Sequence, residues 1–410
     1  MELRTYQIEL AKKAASKLKE HQIVYMAMEV RTGKTLTSLL AAHFIHAKNV
    51  LFLTKRLARE SIKTDFKSFN FNYKITVTNY EKLHKLIDNY DVIICDEAHL
   101  LGAFPKPTNR TILLKKIISK TNAKVIYLSG TPNPESYCQL FHQFWVTGRG
   151  PWSQYINFYK WAATYVNIKT KFISGFQVRD YSQAHAQLVK TDIAPYLITF
   201  SQQEAGFTKK VFDCIEFVKM DDSTYELIEL LKRNRIIALS DEEEIIADTP
   251  VKLMSKIHQL CGGTIKYENN SSEILDRSKA KYIAKKYSGK KFAIYYLFIE
   301  EGNLLREYFP NHTAIPEEFN ANDDLIFISQ VQSGSMGINL ATAEFIIMYN
   351  ISFSSLAYWQ SRARLLSKDR IGDANVIWLF AQNGIEEKIF DAVTQKNNYT
   401  QAYFIKDYKL

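Results

Sequence analysis

The chain has 410 residues, 46% of them hydrophobic and 13% aromatic, so it is globular and exceeds the ~250–300 residues at which a single core stops growing. Its 53 basic and 43 acidic residues leave a charge of +10 and a pI near 9.1, a balance that favours a polyanionic partner. No apolar run approaches the ~20 residues of a membrane span, the first residues are no signal peptide, and Cys95, Cys138, Cys214 and Cys261 are too scattered for structural zinc or a disulfide framework; the expectation is a protein of a reducing cytoplasm, the host's if the source is viral.

A helical pattern over residues 3–19 leads into a buried strand and, after a turn, a helix over 36–46. Strands are expected at 50–54, 74–77, 92–95 and 125–128, with helices at 56–67 (basic), 80–89 and 111–121 between them. Residues 135–200 turn helical and aromatic, a helical extension packing its own core. Within it residues 167–179 predict a hairpin turning at Ser174-Gly175. Its Lys169 and Lys171 are candidate contacts to a nucleic-acid backbone, against the alternative of an ordinary surface hairpin.

After a strand at 211–218 comes a helical insertion of about 223–262, with helices at 223–238 and 249–260. The acidic run 241–244 and the loop 268–272 read as solvated connectors. A second alternation follows: helix 278–287, strand 292–296, helix 302–309, strands 325–329 and 345–349, helix 355–366, strand 376–380 and helix 385–396. The pattern is α/β, two tandem lobes with parallel sheets and helices on both faces, divided at 205/206. The second lobe has no phosphate loop of its own, which places the site in the cleft between the lobes.

The chemistry concentrates in two stretches. In Met26-Ala27-Met28-Glu29-Val30-Arg31-Thr32-Gly33-Lys34-Thr35 a strand breaks into a turn whose backbone N–H groups and following helix N-terminus suit an anion. Lys34 would reach the terminal phosphates and Thr35 would hold Mg²⁺. The full G-x-x-x-x-G-K-[ST] pattern wants glycine where Met28 stands. The second stretch, Val92-Ile93-Ile94-Cys95-Asp96-Glu97-Ala98-His99, ends a strand in two carboxylates. Parallel strands bring such ends to one crevice, where Asp96 would complete the Mg²⁺ shell and Glu97 would orient and deprotonate the attacking water. Trp359-Gln360-Ser361-Arg362-Ala363-Arg364 offers two arginines about 200° apart on a helix, of which one can face a γ-phosphate.

In order, Arg4-Thr5-Tyr6-Gln7, Glu29 to Thr35, Asp96-Glu97-Ala98-His99, Ser129-Gly130-Thr131-Pro132, Gly337-Ile338-Asn339-Leu340 and Gln360 to Arg364 resemble the motifs of superfamily 2 helicases. Thr78-Asn79-Tyr80-Glu81, Ser278-Lys279-Ala280-Lys281 and Gly384-Ile385-Glu386-Glu387-Lys388-Ile389 resemble the Swi/Snf branch. The resemblance covers almost the whole chain, and it makes the two lobes RecA-like. It implies that Arg4 and Gln7 meet the adenine and that Arg31, Thr32, Gly33, Lys34, Thr35, Gly337, Asn339 and Arg364 surround ATP. It also implies that His99, Ser129, Thr131 and Gln360 couple the lobes and that Lys55, Thr78 and Ser329 hold the nucleic-acid backbone. Three departures stand out. Arg31 replaces a glycine, Ser367 replaces a second arginine for which Lys368 or Arg370 would substitute, and residues 329–336 run one residue long.

The implied activity is that of a DNA-dependent ATPase translocating on duplex or branched DNA, with fork or Holliday-junction remodelling as the specific task. Compact phage and bacterial versions share this bare plan, with other replication or recombination proteins as further partners. An RNA helicase, an ATP-switched binding protein with little turnover, and the motor subunit of a restriction or defence complex are the alternatives.

Overall fold

The computed structural model describes residues 3–86, 88–173, 176–238, 243–331, 340, 342–362 and 372–395. The chain divides into two compact units, residues 1–206 and 207–410.

The first unit contains β1 (Ile23–Met28), β2 (Asn49–Thr54), β3 (Lys74–Asn79), β4 (Val92–Asp96), β5 (Lys124–Leu128), β6 (Lys169–Ile173), β7 (Phe176–Asp180) and β8 (Leu197–Phe200). Six of them form a sheet in the order β3-β2-β4-β5-β1-β8, every pair parallel. The side-chain period of two divides each strand between two cores. Ile23, Tyr25, Ile93, Cys95, Val125 and Tyr127 enter the core beneath helices Asn109–Thr121, Gln139–Trp145 and Phe158–Tyr165. Val24, Met26, Met28, Ile94, Ile126 and Leu128 enter the core shared with helices Thr5–His21 and Lys34–Phe44. Strands buried on both faces read as unbroken apolar runs, which is why they are legible.

The second unit holds β9 (Val211–Val218), β10 (Ile236–Ala238), β11 (Glu244–Ile246), β12 (Thr264–Lys266), β13 (Ser272–Ile274), β14 (Phe292–Tyr296), β15 (His312–Thr313), β16 (Ile326–Gln330), β17 (Phe345–Met348) and β18 (Ala374–Ala381). Its sheet runs β15-β16-β14-β17-β18-β9, again wholly parallel. Both units are therefore α/β with a six-stranded parallel sheet between helices, as two RecA-like lobes require.

Several expected elements are corrected. Residues 197–200 are not helical extension but β8, parallel to β1; four residues are too few to show a period. The expected helix 223–238 stops at Asn234, where Arg235 takes a left-handed φ of 65°, and Ile236–Ala238 pairs antiparallel with Glu244–Ile246. Glu244 is thus in a strand rather than a connector. The expected helix 80–89 is a 3₁₀ stretch ending at Lys85. The hairpin of β6 and β7 is present.

Lys279 and Glu386, from two stretches that carry the Swi/Snf resemblance, meet at 2.8 Å with both side chains 0% exposed. Lys279 also donates to the Tyr349 carbonyl at 3.3 Å, and Glu386 accepts from Ala381 N at 3.2 Å. The pair fixes the helices Ser278–Lys286 and Glu386–Thr394 to the ends of β17 and β18. Losing one member strands the other charge without water, which costs about 3–5 kcal/mol. Lys279→Met should therefore lower unfolding free energy in urea by about that amount, and adding Glu386→Leu should recover much of it.

Candidate active site

The crevice lies where β1, β2, β4 and β5 end. At Gly33 the backbone takes φ 84° and starts helix Lys34–Phe44, a conformation open to glycine without steric cost. The close approach of Gln7 adds a second demand, because a Cβ on Gly33 would run into the Gln7 carboxamide. Gln7 accepts from Arg4 N at 2.9 Å and donates to the Gly33 carbonyl at 3.4 Å. Tyr6 donates to the Thr32 carbonyl at 3.2 Å and stacks on Phe200, with centroids 4.7 Å apart. The opening helix thus braces the loop directly.

Arg31 holds φ 63° and Glu97 φ 50°. Left-handed residues other than glycine store about 1–3 kcal/mol each and gather at functional sites. The angle at Arg31 is one that glycine adopts without steric cost. From the other side, Gln202 donates its backbone N–H to Glu29 Oε2 at 2.7 Å and its amide to the Val30 carbonyl at 3.0 Å. Lys34 Nζ donates to the carbonyls of Met28 and Glu29 at 2.9 and 3.0 Å. Burial lowers its pKa, opposed by Glu97, Asp96 and Glu29. Thr35 follows in the first turn of the helix.

Asp96 ends β4 and accepts from Thr54 Oγ1 at 2.7 Å, while Tyr80 donates to its carbonyl at 2.7 Å. Burial, then the Glu97 charge, pushes its carboxyl up to about 6. A buried carboxylate beside a second one is short of positive charge, so these donors with Thr35 fit a hard divalent cation. Glu97 Oε2 lies 3.2 Å from His99 Nδ1, which is also 3.2 Å from Ser129 Oγ; Ser129 in turn accepts from Thr131 N at 3.1 Å. Burial and Lys55 push His99 down to about 4, so at neutral pH the ring is neutral and its approach to Glu97 is not an ion pair. A chain of contacts then runs from the acid of β4 to the segment after β5.

Thr54 and Tyr80 were missed by the sequence reading. Leu53 pairs with Cys95 in parallel register, which sets Thr54 beside Asp96, and the sequence carries no mark of that register. Among the expected backbone contacts, Thr78 and Ser329 are 7% and 8% exposed, which leaves their hydroxyls little access to a phosphate; inward positions on their strands put them there. Lys55 follows β2 half-buried, and Lys169 is exposed on β6; Lys171 is placed on that strand by its backbone.

Arg362 does not reach for a ligand. It makes bonds of 3.0 Å to Asp213 Oδ1 and Oδ2 and 2.9 Å to the Val211 carbonyl, while Tyr358 and Trp378 also donate to Asp213 at 2.9 and 2.8 Å. Gln360 lies on the same helix, Ser355–Arg362. Gly337, Asn339, Arg364, Ser367, Lys368 and Arg370 lie outside the described residues. Among the described residues, no helix is long and apolar enough to cross a membrane.

A lysine-bearing phosphate loop beside an acidic strand end of a parallel sheet is the arrangement that suits a nucleoside triphosphate. A family profile described as type III restriction enzyme, res subunit, matches residues 58–134, a stretch containing Asp96, Glu97, Ser129 and Thr131. A protein named as an uncharacterized ATP-dependent helicase of Mycoplasma genitalium is 20% identical over 267 residues, 58% of this chain and 25% of that protein. The ISWI chromatin-remodeling complex ATPase ISW1 of Saccharomyces cerevisiae is 29% identical over 82 residues, 20% of this chain and 7% of the yeast protein. The chain thus spans a quarter or less of these relatives' length.

Replacing Gly33 by Ala imposes a left-handed cost of about 1–2 kcal/mol and displaces Gln7. A loss of nucleotide affinity with a lowered melting temperature is expected, read by binding of a fluorescent ATP analogue; unchanged binding would separate loop geometry from nucleotide capture.

Proposed function

We propose that the chain is an ATP-driven translocase of the Swi/Snf type that acts on double-stranded or branched DNA, with fork or Holliday-junction remodelling as its task. The observation that carries the reading is the convergence of Lys34, Thr35, Asp96 and Glu97 at one sheet edge, with Glu97 joined through His99 to Ser129. The buried union of two Swi/Snf stretches by Lys279 and Glu386, the similarity to the yeast remodelling ATPase and the charge of +10 favour the branch and the polyanion.

In this reading Lys34 and the loop amides bind the phosphates, and Gly33 permits their close approach. Thr35 and Asp96 hold Mg²⁺, which when bound offsets phosphate charge. Glu97 takes the proton of the attacking water. His99, 3.2 Å from Glu97, positions that carboxylate. The Ser129–Thr131 segment then senses the orientation of the base.

The description of the matching profile favours one second reading, the motor subunit of a restriction or defence complex. In that case DNA-stimulated ATPase activity would depend on an added partner protein.

Glu97→Gln should retain ATP binding within about threefold while turnover falls by roughly 10²–10⁴, the usual worth of a positioned base; an active Gln variant would falsify the assignment. Duplex or four-way-junction DNA should raise ATPase activity more than RNA does, and the stimulation should fall steeply between 50 and 200 mM salt, roughly the interval over which phosphate contacts are lost. Stimulation by RNA alone would refute DNA as the substrate.

A further inference from the structure

The first unit has a cavity of about 200 Å³ that the nucleotide reading leaves unused, lined by Lys115, Trp145, Arg149, Trp152, Ser153 and Tyr155 among others. It sits at the opposite edge of the sheet from Asp96. Arg149 donates to the carbonyl of Ala123 at 3.3 Å and to the Asn122 side chain, immediately before β5 begins, and Gly150 packs against Ile23, the first residue of β1. A strand of five or six residues at about 3.3 Å per residue separates the two edges by roughly 15–20 Å.

The cations here are unusually provided for. Lys115 Nζ lies 3.4 Å above the Trp145 ring and donates to the Trp145 carbonyl at 3.2 Å. Among the described residues, the Arg149 guanidinium donates to the neutral acceptors just named. Among the described ion pairs neither cation has a carboxylate partner, although desolvation lowers the pKa of both. Two half-buried positive charges with no carboxylate beside them can each take a phosphate oxygen. The remaining wall is aromatic: Trp152 is tethered to Asp192 through its indole N–H at 2.9 Å, and Tyr155 is half-buried with its hydroxyl 3.4 Å from Thr164. Rigid rings beside unbalanced cations are what unpaired nucleotides bind, the base stacking and the phosphate taking the charge. The volume is below the about 300–1,000 Å³ of ordinary small-molecule sites and suits a single planar ring.

We propose that this cavity holds one unpaired nucleotide of the nucleic-acid substrate, its base against Trp145 and Tyr155 and its phosphate against Lys115 and Arg149. The proposal rests on the nucleic-acid reading above. It makes the extension around residues 144–156 a reader of single-stranded junctions, separate from the grip that responds to ATP.

The test is photo-crosslinking of the whole chain to an oligo(dT) strand bearing one 5-bromouracil, together with affinities of wild type, Tyr155→Leu and Lys115→Gln for a flapped duplex, a blunt duplex and free dTMP. Adducts on Trp145 or Tyr155 are expected, with a loss of about tenfold in affinity for the flapped duplex, within the range of one base stack. The blunt duplex and ATP turnover without nucleic acid should be unchanged. If the flapped duplex binds all forms equally and adducts map elsewhere, the cavity is no nucleotide site while the translocase reading survives. If no nucleic acid binds at all, both fall together. Free dTMP binding as tightly as the strand would assign the cavity to a soluble nucleotide and overturn the junction role, and protection of Lys115 from acetylation by an acidic peptide alone would overturn it in favour of a protein partner.

Discussion

Two adjacent carboxylates at a buried strand end repel each other, and the first unit is arranged around relieving that repulsion. Burial, and then Glu97, lifts Asp96 to about 6 even with Thr54 and Lys34 opposing the shift. Thr54 gives a hydrogen bond, Lys34 gives attraction over a short distance, and a hard cation would give the rest. The parallel sheet makes this possible, because only strands running the same way deliver the loop after β1 and the acids after β4 to the same edge. The interposed β5 brings Ser129 to the same place, which is how His99 comes to touch both Glu97 and the segment that follows.

Much of this was legible beforehand. Strands such as 92–96 and 124–128 are buried on both faces, so composition alone marks them, and Gly33-Lys34-Thr35 and Asp96-Glu97 carry their chemistry in residue type. What escaped the sequence was of two kinds. Short pairings, β8 and the hairpin of β10 with β11, hold too few residues to display a period. Supporting contacts from Thr54, Tyr80 and Gln202 depend on register and on chain returning from 16 to 173 positions away, which no local pattern records. Of the two arginines expected on the helix over 355–366, Arg362 is committed to Asp213 and Arg364 lies outside the described residues.

The second unit depends on charge in a different way. Its Lys279–Glu386 pair is fully enclosed, and Glu301 nearby accepts from Asn350 at 2.6 Å and from two backbone amides at 2.8 and 2.9 Å, with burial raising its carboxyl to about 7. Such groups contribute little net stability compared with an apolar core. They fix which helix sits against which strand end, and therefore the loop from Asn350 that leads into the helix of Arg362.

The left-handed backbone at Glu97 narrows the evolutionary options at that position independently of charge. Asparagine, aspartate and glycine tolerate the angle, whereas valine, isoleucine and threonine crowd it. A lineage drifting away from hydrolysis would therefore tend to pass through the small polar residues and keep the turn intact, so that the shape of the pocket outlives its chemistry.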